Sequence, residues 1–196
     1  MTSKTKTNSH TPDRILDVAE RLVQSFGFNA FSYADIADEV RVRKASLHYH
    51  FPTKGRLGEE LISRYEKRFL EALAKIESRA SSPSEKLALY MDIYAGVLRK
   101  NRMCLCGMLA AEYSSLPNSM REGVSRFFAS NEGWLSGLLA EGRKSKAFSF
   151  SGSSIDSARF IVSSLEGAML VARAQKDFER FEAVCIKLLA DFTCRT

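Results

Sequence analysis

Apolar residues recur every three or four positions along most of the chain, and alternating, strand-like stretches are hard to find. This spacing indicates amphipathic helices, separated by short breaks rich in Gly, Pro and Ser. We therefore predict an all-α fold. The nine expected helices cover about residues 11–26, 32–40, 44–50, 54–78, 83–100, 104–113, 118–144, 155–175 and 177–194.

The first three helices are short and carry clear boundary signals. Gly27 is suited to a left-handed C-cap of the first helix. Ser32 and Asp35 have the spacing of a capping box at the start of the second. In the third, Leu47 and Phe51 are four positions apart, so we expect both to face a small shared core. The other side of the third helix is then free for a partner.

A stretch without acidic residues runs from Val40 to Gly58 and holds five Arg and Lys residues beside His48, Tyr49 and His50. The net charge of the whole chain is +6, which alone is weak support for a polyanionic partner because many basic proteins bind no nucleic acid. The local concentration says more. A short helix, a turn and a basic, aromatic helix form the pattern of a helix-turn-helix, so we predict double-stranded DNA as a partner.

Residues 12–58 resemble the N-terminal domain of TetR-family transcriptional regulators. The similarity rests on a first helix that ends Phe-Gly-Phe, a Ser-capped second helix containing Ile-Ala, a third helix that ends Leu-His-Tyr-His-Phe, and Lys54. Two positions depart from the family's pattern: Ala45 replaces the usual Gly, and His48 stands where Tyr is frequent. The shorter His48 side chain leaves its phosphate contact open, whereas Ala45 is compatible with the start of a helix.

The resemblance implies two domains. Residues 11–53 would form a three-helix DNA-binding domain, and residues 54–196 a six-helix domain for effector binding and dimerisation. Residues 1–10 are polar and aperiodic, and we predict a disordered tail.

The exposed side of the third helix is expected to carry the DNA contacts. We expect Arg43 to contact a base, because Arg paired with guanine is the commonest direct contact. The resemblance implies phosphate contacts from Ser32, Tyr33 and Lys54. For His50, a DNA contact and a hydrogen bond within the domain remain equally open. The predicted DNA-binding set is Ser32, Tyr33, Arg43, Lys44, Ser46, His48, Tyr49, His50 and Lys54.

Large, soft side chains recur at helical spacing between residues 85 and 175. Such a stripe is more often plain core, but the resemblance implies a ligand cavity among these helices. Tyr and Trp suit a pocket wall because they join an apolar body to a polar group. Glu112 and Glu166 could each face a ligand or solvent, and for Glu112 we favour solvent. The predicted ligand-binding set is Tyr94, Leu98, Cys104, Met108, Tyr113, Phe127, Trp134, Glu166 and Met169.

Cys104 and Cys106 lie near the start of the sixth helix. No histidine follows residue 50, so a zinc site is poorly supported and we predict neither metal nor cofactor. Two small core residues are the simpler interpretation. The alternative is a thiol sensor, because a helix N-terminus and nearby Arg102 could lower a thiol pKa. The segment NRMCLCGMLAAE resembles the G-C-L-x-G-x-x-A-x-E stretch of a branch of the family, some of whose members sense reactive compounds.

The last two helices offer more apolar surface than one partner needs, so we predict a homodimer through a four-helix bundle. A dimer would place one DNA-contacting helix on each half of a near-palindromic operator. The predicted interface set is Ala158, Ile161, Val162, Leu165, Ala172, Ile186, Leu189 and Phe192.

The function predicted from the sequence is a ligand-responsive repressor. An enzyme is disfavoured, because no nucleophile–base pairing or Gly-rich phosphate loop is apparent. A non-specific DNA-compacting protein would spread its basic excess over the whole chain. No apolar run is long enough to cross a bilayer and no secretory signal is apparent, so we expect a cytoplasmic protein without a membrane partner.

Overall fold

A computed structural model describes residues 11–194, and the predicted tail at residues 1–10 lies outside that range. The described part contains nine α-helices and no β-strand, only an isolated antiparallel bridge between Phe148 and Thr193. The all-α prediction is confirmed. The helices are α1 (Thr11–Phe26), α2 (Tyr33–Val40), α3 (Lys44–His50), α4 (Lys54–Arg79), α5 (Pro83–Leu98), α6 (Leu105–Ala111), α7 (Asn118–Lys144), α8 (Ser154–Gln175) and α9 (Glu179–Phe192).

Helices α1 to α3 form a small N-terminal domain, and their buried apolar side chains are continuous with the core of the later helices. The predicted capping box is confirmed: the Ser32 hydroxyl accepts from the Ala34 amide at 3.2 Å, and the Ser32 amide donates to Asp35 at 2.7 Å. Leu47 and Phe51 are buried, as their spacing predicts. Gly27 ends α1 with a φ of +96°, a conformation that L side chains rarely adopt.

Helix α4 joins this domain to the larger one. Its apolar seam is buried along its whole length, from Leu57 to Ile76. The helix packs against α1 on one side and against α5, α6 and α7 on the other. Ion pairs from Arg64 to Asp17 and from Arg68 to Glu20 tie α4 to α1.

The larger domain is a bundle in which α7 packs closely on α8, and α8 on α9. Helices α5, α6 and α9 are shorter than the sequence indicates, and α9 spans Glu179–Phe192 instead of residues 177–194. Helix α5 ends at Leu98, before a turn in which Asn101 has a φ of +55°. Helix α6 ends at Ala111, where a single 3₁₀ turn at Tyr113–Ser115 follows. None of the described helices combines the length and apolar content needed to cross a bilayer.

The predicted dimer interface needs correction. Six of its eight residues are buried inside the single chain, and only Ile186 is largely exposed, at 69%. They stabilise the chain's own core and are not available to a second copy. The six are Ala158, Ile161, Val162, Leu165, Ala172 and Phe192. A different, outward face of α8 carries exposed apolar residues, among them Phe160 (59%) and Val171 (51%).

Candidate nucleic-acid interface and its link to the C-terminal domain

The outer face of α3 presents free cationic and aromatic side chains. Arg43 is the N-cap residue, and Lys44 begins the helix. Both are exposed, and neither forms an ion pair with a carboxylate in the described part of the chain. His48 is exposed as well, and Tyr49 is 83% exposed, an unusual position for so large an aromatic ring. This face can meet phosphates and base edges without first breaking internal contacts.

Ser46 and His50 are only partly buried. The His50 ring lies 5.0 Å from the Tyr49 ring and 6.4 Å from Phe51, between the exposed and buried sides of α3. The structure therefore leaves both alternatives for His50 open.

Arg41 was absent from the predicted DNA-binding set. It is exposed at the C-cap of α2 with a φ of +60°, beside Arg43. Its membership of the acid-free stretch was the signal that could have found it.

Tyr33 and Lys54 are placed differently from the residues of α3. The Tyr33 side chain is buried, its hydroxyl donates to the Phe51 carbonyl at 2.7 Å, and burial raises its pKa to about 12. The Lys54 ammonium donates to the Phe31 carbonyl and lies 4.8 Å and 4.2 Å from the ring centres of Phe28 and Phe31. Burial lowers the pKa of Lys54, partly offset by the carboxylates of Glu112 and Asp35. Both side chains therefore hold the DNA-binding domain together.

The two domains are fastened together at the end of α1. The Glu112 carboxylate accepts from the backbone amides of Phe28 at 2.6 Å and Asn29 at 3.3 Å. The Arg173 guanidinium donates to the carbonyls of Gln24 and Ser25. Because α1 ends there, a cation meets the negative end of the helix, and an anion meets free amides just beyond it.

Glu112 is partly exposed, and its carboxylate also forms a contact between the two domains that neither sequence alternative anticipated. Gly27 makes that contact possible, because a Cβ at this position would lie 2.8 Å from a Glu112 oxygen. Sequence spacing could not show that residues 84 positions apart meet.

Several predicted ligand-binding residues do share one interior region. Tyr90 donates to Asn131 at 2.8 Å, and the Asn131 amide donates to the Tyr94 hydroxyl at 2.8 Å. The Tyr90 ring stacks on Trp134 at 5.6 Å. Phe127 and Met169 are buried nearby in the same core.

Tyr113, also in the predicted ligand-binding set, lies apart from this group and is 49% exposed in the turn after α6. Leu98 is buried and Met108 partly buried at the edge of this core.

Glu166 contributes an acid to this interior. Its Oε1 is closed off from solvent and has no hydrogen-bond partner among the described residues, although the residue as a whole is only partly buried. Burial raises its pKa to about 7. A Cβ at Gly107 would lie 2.3 Å from Glu166 Oε2, so the glycine lets the carboxyl approach α6.

Both thiols are sealed in the core beside this acid. Cys104 and Cys106 are 2% and 0% exposed. Tyr65 donates to the Cys104 sulfur at 3.7 Å. Burial, with the nearby Glu166 carboxylate, raises the pKa of both thiols well above its usual range. Raised pKa values favour the unreactive thiol over the thiolate.

A helix-turn-helix with a free cationic face, joined to a larger helical domain with a polar interior, defines a class of DNA-binding transcriptional regulators. The family model described as bacterial regulatory proteins, tetR family, matches residues 15–61. The model described as the LmrA/YxaF-like transcriptional regulator C-terminal domain matches residues 83–185. The chain belongs to the TetR family, whose members are transcriptional regulators and not enzymes.

Individual relatives agree with this. A TetR-family regulator from Agrobacterium tumefaciens has a similar structure, with a TM-score of 0.91 and 33% identity, covering 94% of this chain and 98% of that one. A TetR regulator from Legionella pneumophila has a TM-score of 0.88 and 35% identity, covering 95% and 100%. The transcriptional repressor NemR of Escherichia coli K12 is 23% identical over 180 residues, 90% of each chain.

Proposed function

We propose that this regulator is a ligand-responsive repressor that binds a near-palindromic operator as a homodimer and leaves it when a small molecule binds. The observation that carries the proposal is the exposed face of α3, whose cations have no carboxylate partner among residues 11–194. Similarity to the repressor NemR supports repression over activation. The domain limits follow the same proposal, with DNA binding in residues 11–53 and effector binding and dimerisation in residues 54–196.

In this proposal Arg43 contacts a guanine edge, while Lys44 and Ser46 contact bases or neighbouring phosphates. Tyr49 and His48 bind the DNA backbone. Further phosphate contacts come from Ser32 at the N-terminus of α2, whose free amides favour an anion, and from exposed Arg41. Tyr33 and Lys54 act mainly by holding α3 and the start of α4 in place for these contacts.

The dimer would form through the outward faces of α8 and α9. Phe160, Gly167 and Val171 are spaced seven and four residues apart, so they lie on one line along α8. No atom lies within 4 Å of a Cβ built on Gly167, which leaves room for a second helix. Ile186 of α9 extends the same kind of exposed apolar surface. Large apolar side chains left in water favour association.

The effector would act on the polar interior around Tyr94, Asn131 and Glu166. Glu166 Oε1, which has no partner in the described chain, is suited to receive a hydrogen-bond donor or a cationic group of a ligand. A thiol-reactive effector is the second candidate. It is favoured by the resemblance of the segment NRMCLCGMLAAE to a branch of the family and opposed by the burial of Cys104 and Cys106. Operator release by N-ethylmaleimide that persists in a Cys104→Ser, Cys106→Ser double variant would eliminate the thiol candidate.

The central test is selection of binding sites from random duplex DNA by the purified protein at fixed salt. The proposal predicts enrichment of a near-palindrome whose half-sites are about one helical turn apart. Arg43→Ala should weaken binding to the selected site by about 1–3 kcal/mol and relax the preference at one base position. Arg79→Ala removes an exposed charge at the far end of α4 and is the matched control. Equal binding to all sequences would instead support DNA compaction.

A further inference from the structure

A cleft of about 410 Å³ lies where α1, α4 and α5 meet, between the DNA-binding and effector domains. Its volume is within the range of small-molecule sites. Glu20 and Gln24 of α1 form one side, and Phe69 of α4 with Ile93 and Val97 of α5 supplies apolar surface. It is separate from the interior cluster around Asn131 and Glu166, neither of which lines it.

Gln24 lines this junction cleft and is only 3% exposed. Its side-chain amide makes no hydrogen bond within residues 11–194, yet it still reaches solvent, since Glu166 Oε1 is the only enclosed side-chain polar atom there without a partner. The amide is therefore available to a polar atom of a ligand inside the cleft.

A glycine keeps the cleft open. Gly96 lies inside α5, and a Cβ built on it would meet nothing within 4 Å. Glycine within a helix is about 1 kcal/mol less favourable than alanine. No packing constraint requires glycine here, in contrast to Gly58, where a Cβ would lie 2.4 Å from Met120. The missing side chain leaves free space beside Ile93 and Val97.

The charges around the cleft favour an anion. Lys100 and Arg102 line it, and neither forms an ion pair with a carboxylate in the described chain. The third cation, Arg68, is already paired with Glu20. The remaining acid, Asp92, is exposed and lies 4.0 Å from Arg99 outside the cleft.

We propose that the junction cleft is a second ligand site, which binds a small amphiphile with an anionic head and an apolar ring or chain. The apolar body lies against Phe69 and Val97, a polar atom meets the Gln24 amide, and the anion lies between Lys100 and Arg102. Such a ligand touches both domains at once, because Gln24 belongs to α1. Binding at this site goes beyond the proposed repressor function and does not depend on it.

The test is fluorescence titration of the full chain, without DNA, with 8-anilinonaphthalene-1-sulfonate and with N-phenyl-1-naphthylamine, which has the same aromatic body but no anion. We expect saturable binding of the sulfonate and weaker binding of the amine. Gly96→Leu fills the cleft and should weaken sulfonate binding by at least about tenfold, through steric exclusion. Gly137→Leu is the matched control, because Gly137 is also helical with open space around it.

A second pair of variants tests the charge. Lys100 is exposed, so Lys100→Glu should fold normally. We expect it to weaken binding of the sulfonate roughly fivefold and to leave binding of the amine unchanged. Lys144→Glu makes the same change at the end of α7, away from the cleft, and should have no effect. Unchanged sulfonate binding in Gly96→Leu, or equal losses in Lys100→Glu and Lys144→Glu, would overturn the proposal. Neither result would bear on operator binding, which is measured separately.

Discussion

Replacing Glu112 with Ala removes the carboxylate that joins α6 to the end of α1. The substitution leaves the amides of Phe28 and Asn29 without their acceptor. A hydrogen bond to a charged group contributes about 1.5–3 kcal/mol. The 2.6 Å bond to Phe28 is partly buried, whereas the 3.3 Å bond to Asn29 is exposed and should contribute little. We therefore expect Glu112→Ala to lower the free energy of unfolding by about 2 kcal/mol.

Urea denaturation at one fixed protein concentration measures this loss, because dimerisation makes stability depend on concentration. For a chain of this size, the melting temperature should fall by roughly 4–8 °C. Hydrogen exchange gives the local signature: the amides of residues 28 and 29 should exchange faster, while those of α9 should change little. Glu112→Gln keeps a neutral acceptor, so its free energy of unfolding should lie between those of the native protein and Glu112→Ala.

Glu122→Ala is the matched control. Glu122 is an exposed acid in the first part of α7, and its carboxylate makes no hydrogen bond or ion pair within the described residues. If Glu112→Ala and Glu122→Ala are equally stable, and exchange at residues 28 and 29 is unaltered, the Glu112 contact does not hold the two domains together.

Three other substitutions test separate parts of the structure. Gly27→Ala should lower stability by about 2 kcal/mol in urea, since it forces a Cβ to a φ of +96° and against Glu112, whereas Gly137→Ala should not. Glu166→Gln should stabilise the protein at pH 8 by roughly 2–3 kcal/mol but have little effect below pH 4.5. The pKa of Glu166 in the folded protein is raised to about 7, so its ionisation destabilises the fold as pH rises from about 4.5 through 7. A stability difference between the native protein and Glu166→Gln that does not change with pH would contradict this. Val171→Glu should raise the dimer dissociation constant at least about tenfold in light-scattering measurements, because it puts a charge on the proposed interface, while Leu70→Glu on α4 should not.

Local signals in the sequence predict the DNA-binding domain well. The capping box at Ser32 and the buried pair Leu47 and Phe51 depend on neighbours within four residues, and both are confirmed. The pattern predicts less about Tyr33 and Lys54. Their polar atoms bond to carbonyls 18 and 23 residues away, which no local pattern reports.

The C-terminal domain was predicted less fully, because two of its helices are apolar on more than one face. In α8, the residues chosen for a dimer interface, such as Ile161 and Leu165, form one stripe, and Phe160 and Val171 form another. Periodicity identifies both stripes as apolar. It does not determine which of them the chain's own α7 and α9 will cover.

The sequence by itself determined the helices, their order and the cationic character of α3, since these follow from short-range spacing and charge. The family was indicated by the resemblance of its N-terminal motifs to TetR-family regulators. Only the tertiary structure decided which apolar stripe of α8 is covered. It also decided that Glu112 binds the end of α1, that the thiols are sealed in the core, and that a cleft remains beside Gly96. Each of these depends on which surfaces meet when distant segments pack, and that choice minimises exposed apolar area and unpaired polar groups over the whole chain.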